Sequence, residues 1–307
     1  MKKNVRVTVV IIVLTLAAVV AGVAFAARGS RGQAQTSKSK STVKPAVRIT
    51  ARPASASKNA SSGFAVAAEE NLLLKNELNW TFGGKQQRGW YLYDLLIGKT
   101  LNTPRDPDPD DFAAAVAAWQ KSKGLSPSGI IDEDSLMAMV AQWQSNRLKN
   151  RAYAEPAQLV TAPSLDFYDS ERLTELRQVE LSTYAAYKRM VAAAIADPTL
   201  NLAHTASAEL APTEKFFKII SSFRSREYQD QLRRQSPNAG SAGLAVNSPH
   251  FTGRALDIYV GGDPVDTRDS NRAIQVNTPV YQWLIKNAER FGFRPYFYEP
   301  WHWEYVE

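Results

Sequence analysis

Apolar and polar positions change their spacing several times along this chain, and each change predicts a different element. Residues 7–27 are uncharged and dominated by Val, Ile, Leu and Ala. Residues 28–63 are rich in Ser, Ala, Lys and Arg, carry Pro45 and Pro53, and have no periodic apolar pattern, which predicts a disordered linker. From Phe64 the spacing turns helical: Leu72, Leu73, Leu74 and Leu78 suit an amphipathic helix, and further helices are expected over 90–97 and 110–123. In the second of these, Phe112, Val116, Ala117 and Trp119 share a face, Asp110 or Asp111 provides the negative first turn, and Gly124 ends the helix. A turn over 125–132 leads to a helix over 132–144 with Leu136, Met137, Val140 and Trp143 inward. Residues 147–162, with Pro156 and Pro163 as breakers, read as a linker.

Helical periodicity returns over 170–196, where Leu173, Leu176, Val179, Tyr184, Tyr187, Met190 and Val191 can line one face. A strand over 215–223 buries Ile219 and Ile220, a helix follows over 227–234, and the Gly, Ser, Asn and Pro content of 236–248 marks a loop bordering a cleft. Over 254–260 the pattern alternates: Leu256, Ile258 and Val260 fall on one face, Ala255, Asp257 and Tyr259 on the other. Thr278-Pro279 opens a helix with proline in its first turn, and Gly292 stops it. Strands over 293–298 and 301–306 finish the chain. The fold class expected is α+β: an antiparallel sheet with packed helices at 151–307, preceded by a small all-α domain at 64–150, the linker, and an N-terminal membrane or export segment at 1–27.

Charge changes the picture at the N-terminus. Lys2, Lys3 and Arg6 precede the apolar run, the arrangement of an export signal. Ala24-Phe25-Ala26 resembles a signal-peptidase site, while about 20 apolar residues also suffice to span a bilayer, so both a cleaved leader and a retained membrane anchor stay open. Either way the remainder is exported to the cell envelope, in the periplasm or cell wall. The formal charge is +7, but residues 1–60 hold eleven Lys or Arg and no Asp or Glu, which leaves −4 for the rest. A basic patch on a folded domain, the footprint of nucleic-acid binding, is therefore not expected. There is no cysteine, which excludes thiolate catalysis, thiolate zinc ligands and disulfides together. Nothing in the pattern specifies an oligomeric state.

The chemistry is concentrated in two short stretches. Ser248-Pro249-His250-Phe251-Thr252-Gly253-Arg254-Ala255-Leu256-Asp257 places an imidazole and a carboxylate seven residues apart, and Glu299-Pro300-Trp301-His302 offers a second such pair. Together they have the makings of a metal site with a base beside it. Two imidazoles and one carboxylate suit Zn²⁺, which takes N and O donors tetrahedrally and in catalytic sites keeps one position open. In a regular strand Glu299 and His302 face opposite ways, so a break at Pro300 is expected to bring both to one metal. The remaining histidine, His204, has no motif around it and reads as a surface residue.

Ser248-x-His250-x-x-Gly253-x-Ala255-x-Asp257 with Glu299-x-Trp301-His302 resembles the zinc D-alanyl-D-alanine carboxypeptidases and dipeptidases of the VanY and VanX type, over about residues 175–307. The resemblance implies that His250, Asp257 and His302 ligate zinc and that Glu299 is the general base. It implies that Arg224, in Ser222-Phe223-Arg224-Ser225, steadies a developing oxyanion, and that Gln229 helps hold a peptide terminus. Ser248 is expected to contact substrate or loop backbone. The implied reaction is removal of the terminal D-alanine from peptidoglycan stem peptides; cleavage within the stem or cross-bridge, and a non-catalytic zinc-stabilised wall-binding protein, are the alternatives. Upstream, Trp119-Gln120, Gly124-Leu125, Ser128-Gly129-Ile130-Ile131 and Ser135-Leu136 resemble small helical peptidoglycan-binding domains, with Ser128 where an Asp is common. That implies wall binding by 64–150; a helical spacer packed on the catalytic domain is the bland alternative.

Overall fold

The structure, a computed structural model, describes residues 63–235 and 247–306. The expected leader, nearly all of the linker and most of the loop over 236–248 lie outside the described residues. Among those described, no helix is long and apolar enough to cross a membrane. Lys58–Glu307 groups into one compact unit, and one hydrophobic cluster runs from Leu78 to Trp303.

The N-terminal part of this unit begins with helix α1 (Ala65–Glu77). Only part of the expected leucine run faces inward: Leu78 joins the core and Leu74 packs against it, whereas Leu72 and Leu73 are exposed and Ala67, Ala68 and Asn71 are buried. Asn71 repays its desolvation with two hydrogen bonds to the turn over 125–132, donating to Gly129 O at 2.7 Å and accepting from Ile131 N at 2.8 Å. The region is also not all-α. Strands β1 (Asn79–Phe82) and β2 (Lys85–Arg88) form a hairpin across Gly83-Gly84. Both glycines have positive φ, the conformation tight hairpin turns need.

Helices α2 (Asp94–Leu101), α3 (Pro109–Ser122) and α4 (Glu133–Ser145) complete this part. The Asp108 and Asp132 side chains accept from Asp110 N and Ser135 N, so each satisfies an orphan donor at a helix start. Gln120 of the aromatic-Gln pair is buried and clamps the following turn: its Nε2 donates to Ile130 O and Ser135 Oγ, and its Oε1 accepts from Gly129 N.

The C-terminal part is built on a four-stranded antiparallel sheet of order β5-β6-β8-β7, namely β5 (Ile219–Ser221), β6 (Ala255–Ile258), β8 (Glu299–Tyr305) and β7 (Phe293–Tyr296). A second ribbon pairs β3 (Leu159–Thr161) with β4 (Gln178–Glu180). The helix expected over 170–196 is therefore shortened to α5 (Leu181–Ile195). Its first third is a 3-10 turn and β4, and Leu173 is exposed, because pairing with β3 takes the backbone that periodicity assigned to a helix. Helices α6 (Arg226–Gln235), α7 (Asp269–Val276) and α8 (Pro279–Asn287) follow. Leu256, Ile258 and Trp303 are fully buried, and Tyr281 of α8 meets the Trp303 ring edge-on at 6.3 Å.

The two parts share their packing. Phe297 lies 4.7 Å from Phe82, 5.3 Å from Tyr93 and 5.9 Å from Trp143 between ring centroids. Burying an aromatic side chain removes roughly 150–250 Å², or roughly 4–6 kcal/mol of gross hydrophobic stabilisation at about 25 cal/mol per Å².

Candidate metal centre and active site

Sheet register assembles the centre. Ser221 lies opposite Asp257, and Asp257 opposite His302, so three strands put these residues in one row. Side chains alternate along a strand, so Ala255, Asp257, His302 and Glu304 share one face while Leu256 and Trp303 go to the core. His250 arrives from a 3-10 turn, Pro249–Thr252, whose first backbone groups are capped by Ser248: its hydroxyl accepts from His250 N. Ser248 thus contacts the loop backbone. Gly253 ends the turn at φ 66°, and a Cβ there would lie 2.9 Å from Glu180 N, so the glycine makes room for the start of α5.

Glu299 is buried at the head of β8, opposite Tyr296. The break expected at Pro300 takes the form of a register shift: β7 and β8 pair in step from Phe293↔Tyr305 to Pro295↔Trp303, then skip to Tyr296↔Glu299. Proline has no N–H to give the ladder, so the strand is released from β7 at this point. His302 pairs instead with Asp257 across β6.

One ligand atom each from His250, Asp257 and His302 lies within 4.8 Å of the others, and all three residues are buried. Asp257 Oδ1 is 2.9 Å from His302 Nδ1 and 3.4 Å from His250 Nε2. Each member is oriented from behind. His250 Nδ1 is 2.7 Å from Ser222 O, which leaves Nε2 for the centre. Arg224 Nη2 donates to Asp257 Oδ2 at 2.6 Å, turning Oδ1 inward. His302 Nε2 is 3.3 Å from Glu304 Oε1. Outer partners of this kind fix the tautomer and direction of metal ligands. Two imidazole nitrogens and a carboxylate oxygen converging among buried residues fit Zn²⁺.

Electrostatics sets these four groups apart. Burial, helped by the Arg224 cation, lowers the His250 pKa to about 4, so the ring is a neutral donor at pH 7. Burial alone would raise the Asp257 pKa, but the two histidines and Arg224 hold it well below the usual range. Burial likewise opposes charge on His302, yet its contacts with Asp257 and Glu304 push its pKa up to about 9. Glu299 goes the other way: burial raises it to about 7, with Asp257 adding to the rise and His302 and Arg224 opposing it. A carboxyl poised near neutrality, beside ionised Asp257, has the proton affinity of a general base.

Arg224 is also held by Ser221 Oγ at 2.9 Å and by Gln229 Oε1 at 3.3 Å. Gln229, buried in α6, thus braces the guanidinium. His204 is exposed, with Nδ1 against Thr205 O. Periodicity overlooked Glu304, which reads as one more residue of a terminal strand. Its position two residues from His302, on the same strand face, was the available signal.

Residues 178–307 match the family model of VanY, D-alanyl-D-alanine carboxypeptidase. That segment contains every residue of the row and of the 3-10 turn. Among solved structures, the chain is similar to the LdcB LD-carboxypeptidase, at 22% identity over 51% of this chain and 71% of that one, with a TM-score of 0.35. It is similar also to a variant of the vancomycin-resistance D,D-pentapeptidase VanY in complex with Zn(II), at 21% identity over 54% and 89%, with a TM-score of 0.30. No curated protein matches the chain.

Proposed function

We propose that this protein is an exported zinc peptidase of the cell envelope that removes the terminal D-alanine from D-Ala-D-Ala ends of peptidoglycan stem peptides. The observation that carries the reading is the convergence of His250, Asp257 and His302 donor atoms within 4.8 Å, inside a segment that matches a D-alanyl-D-alanine carboxypeptidase family. In this reading those three residues hold Zn²⁺ and Glu299 stands beside them. Zinc supplies Lewis acidity and makes water acidic near neutral pH.

The protein's own groups do the rest. Glu299 accepts the proton of the attacking water and returns it to the leaving amine. Arg224, fixed by Asp257, Ser221 and Gln229, sets a cation beside the reacting carbonyl and counters developing negative charge without reorganising. Peptidoglycan is the partner, and the basic segment over 1–60 tethers the enzyme at a membrane or within an anionic wall. The helical part over 64–150 supports the sheet and contributes wall contact.

Mass spectrometry of purified muropeptides ending in D-Ala-D-Ala tests the reaction. Loss of one alanine after incubation with the zinc-loaded protein is expected. Two peptide fragments would replace this reading with an endopeptidase, and intact muropeptides would replace it with a wall-binding protein.

A further inference from the structure

Behind His302 lies a carboxylate that the proposed chemistry does not use. Glu304 has 0% exposure, and burying an uncompensated carboxylate costs several kcal/mol, so its partners are part of its reason for being there. One is His302 Nε2, at 3.3 Å. The others come from a different part of the chain. Leu148 N donates to Oε2 at 2.9 Å, Arg147 Nη2 forms an ion pair and hydrogen bond with Oε1, and Arg151 Nη2 adds a cation at 3.7 Å. The Arg147 guanidinium also lies over the Tyr296 ring, 3.9 Å from its centroid, and that ring stands edge-on to His302 at 5.9 Å. Arg147, Leu148 and Arg151 follow directly on α4 and precede the segment 178–307 that matches the family.

We infer that Arg147 and the backbone of Leu148 are positioning groups for the metal ligand His302, acting through Glu304, so that the N-terminal helical part completes the metal centre. This rests on the zinc reading above. Glu304 accepts from His302 Nε2 and thereby keeps Nδ1 aimed at Asp257 and the centre. Ala255 opposite Glu304 leaves space for the carboxylate, and Arg147 Nη2 on Oε1 together with Leu148 N on Oε2 pins both of its oxygens. Remove Arg147, and Glu304 is left buried with a weaker anchor. His302 then loses the fixed acceptor that sets its orientation, although no ligand has been touched.

The test is a competition titration of zinc against a chelator with the full chain, comparing the unsubstituted protein with Arg147→Ala and Glu304→Gln. Outer partners of metal ligands are typically worth about 10- to 100-fold in affinity, and a loss of that size is expected in both variants. Cobalt-loaded protein supplies a readout that a merely structural role does not move: at saturating cobalt the visible ligand-field spectrum of Arg147→Ala should differ from that of the unsubstituted protein. Thermal unfolding in chelator shows whether each apo variant is folded. If Arg147→Ala shows no cooperative transition, Arg147→Gln, which keeps the length and loses the charge, takes its place under the same criterion. Unchanged zinc affinity and an unchanged cobalt spectrum in a folded Arg147 variant overturn the inference. Failure of the unsubstituted protein to bind zinc overturns the zinc reading itself.

Discussion

Arg272 and the His250–Asp257–His302 cluster both bury formal charge among aromatic rings, and they close their valences in opposite ways. Arg272 lies over the Tyr298 ring at 4.4 Å and turns its terminal nitrogens outward to separate acceptors: Asp269 at 2.7 Å, Tyr93 Oη at 3.1 Å, Tyr298 O at 3.3 Å and Gln87 Oε1 at 3.4 Å. One cation is shared among groups from both parts of the unit, and it joins them. At the other cluster three side chains aim at a common point, while a fourth, Glu299, is pushed up to about 7 by burial and by Asp257. A charge buried for structure disperses its bonds. The converging cluster concentrates its lone pairs, and Ser222 O, Arg224 and Glu304 hold it from outside.

Three substitutions break or sharpen this contrast, from the largest expected effect to the smallest. His302→Ala removes a converging donor and should lose zinc on dialysis and turnover with it, as read by metal analysis; retained zinc would refute the ligand assignment. Arg272→Ala should leave zinc affinity unchanged and cost about 2–5 kcal/mol of stability in denaturant unfolding, the range for truncating a large buried side chain. A loss of zinc in that variant would erase the distinction between the clusters.

The smallest effect concerns Glu180, which caps α5 by accepting from Thr183 N at 2.8 Å and Thr183 Oγ1 at 2.7 Å, and whose own N–H donates to Gly253 O at 3.1 Å beneath the 3-10 turn. Glu180→Ala should cost roughly 1 kcal/mol at neutral pH. Partial burial would raise this carboxyl, but the Thr183 and Ser182 bonds and Arg254 bring it below its ordinary value. Its charged-state contribution is therefore present above the unfolded pKa of about 4.3 and lost as pH falls through the lower folded value. The stability gap between variant and unsubstituted protein should narrow on acidification, as measured by unfolding across that window; a gap that widens towards acid would contradict the cap.

How much of this was legible in the sequence depended on whether a residue's role was local. The helices over 110–123 and 132–144 are legible to within a residue at their starts because an acidic first turn acts locally, and the alternation over 254–260 sets Asp257 opposite the apolar face. The hairpin over 79–88 was not legible: its strands are four residues each, and Lys85-Gln86-Gln87-Arg88 carries no apolar alternation, so tertiary packing of Trp80 decides it. Over 170–180, leucines at helical spacing pointed to a helix, and strand pairing with β3 overrode them. At the centre, residue type and spacing single out His250, Asp257, Glu299 and His302, and the family resemblance picks the three ligands from among them. Arg147, more than 150 residues from Glu304, has no sequence signal, because only the fold makes them neighbours.

The most direct test of the central claim is Glu299→Gln, assayed for D-alanine release and zinc content on the same preparation. The expected result is zinc retained and turnover reduced by roughly 10²–10⁴-fold, because the amide keeps the shape and removes the proton acceptor. Full activity with zinc in place would contradict it.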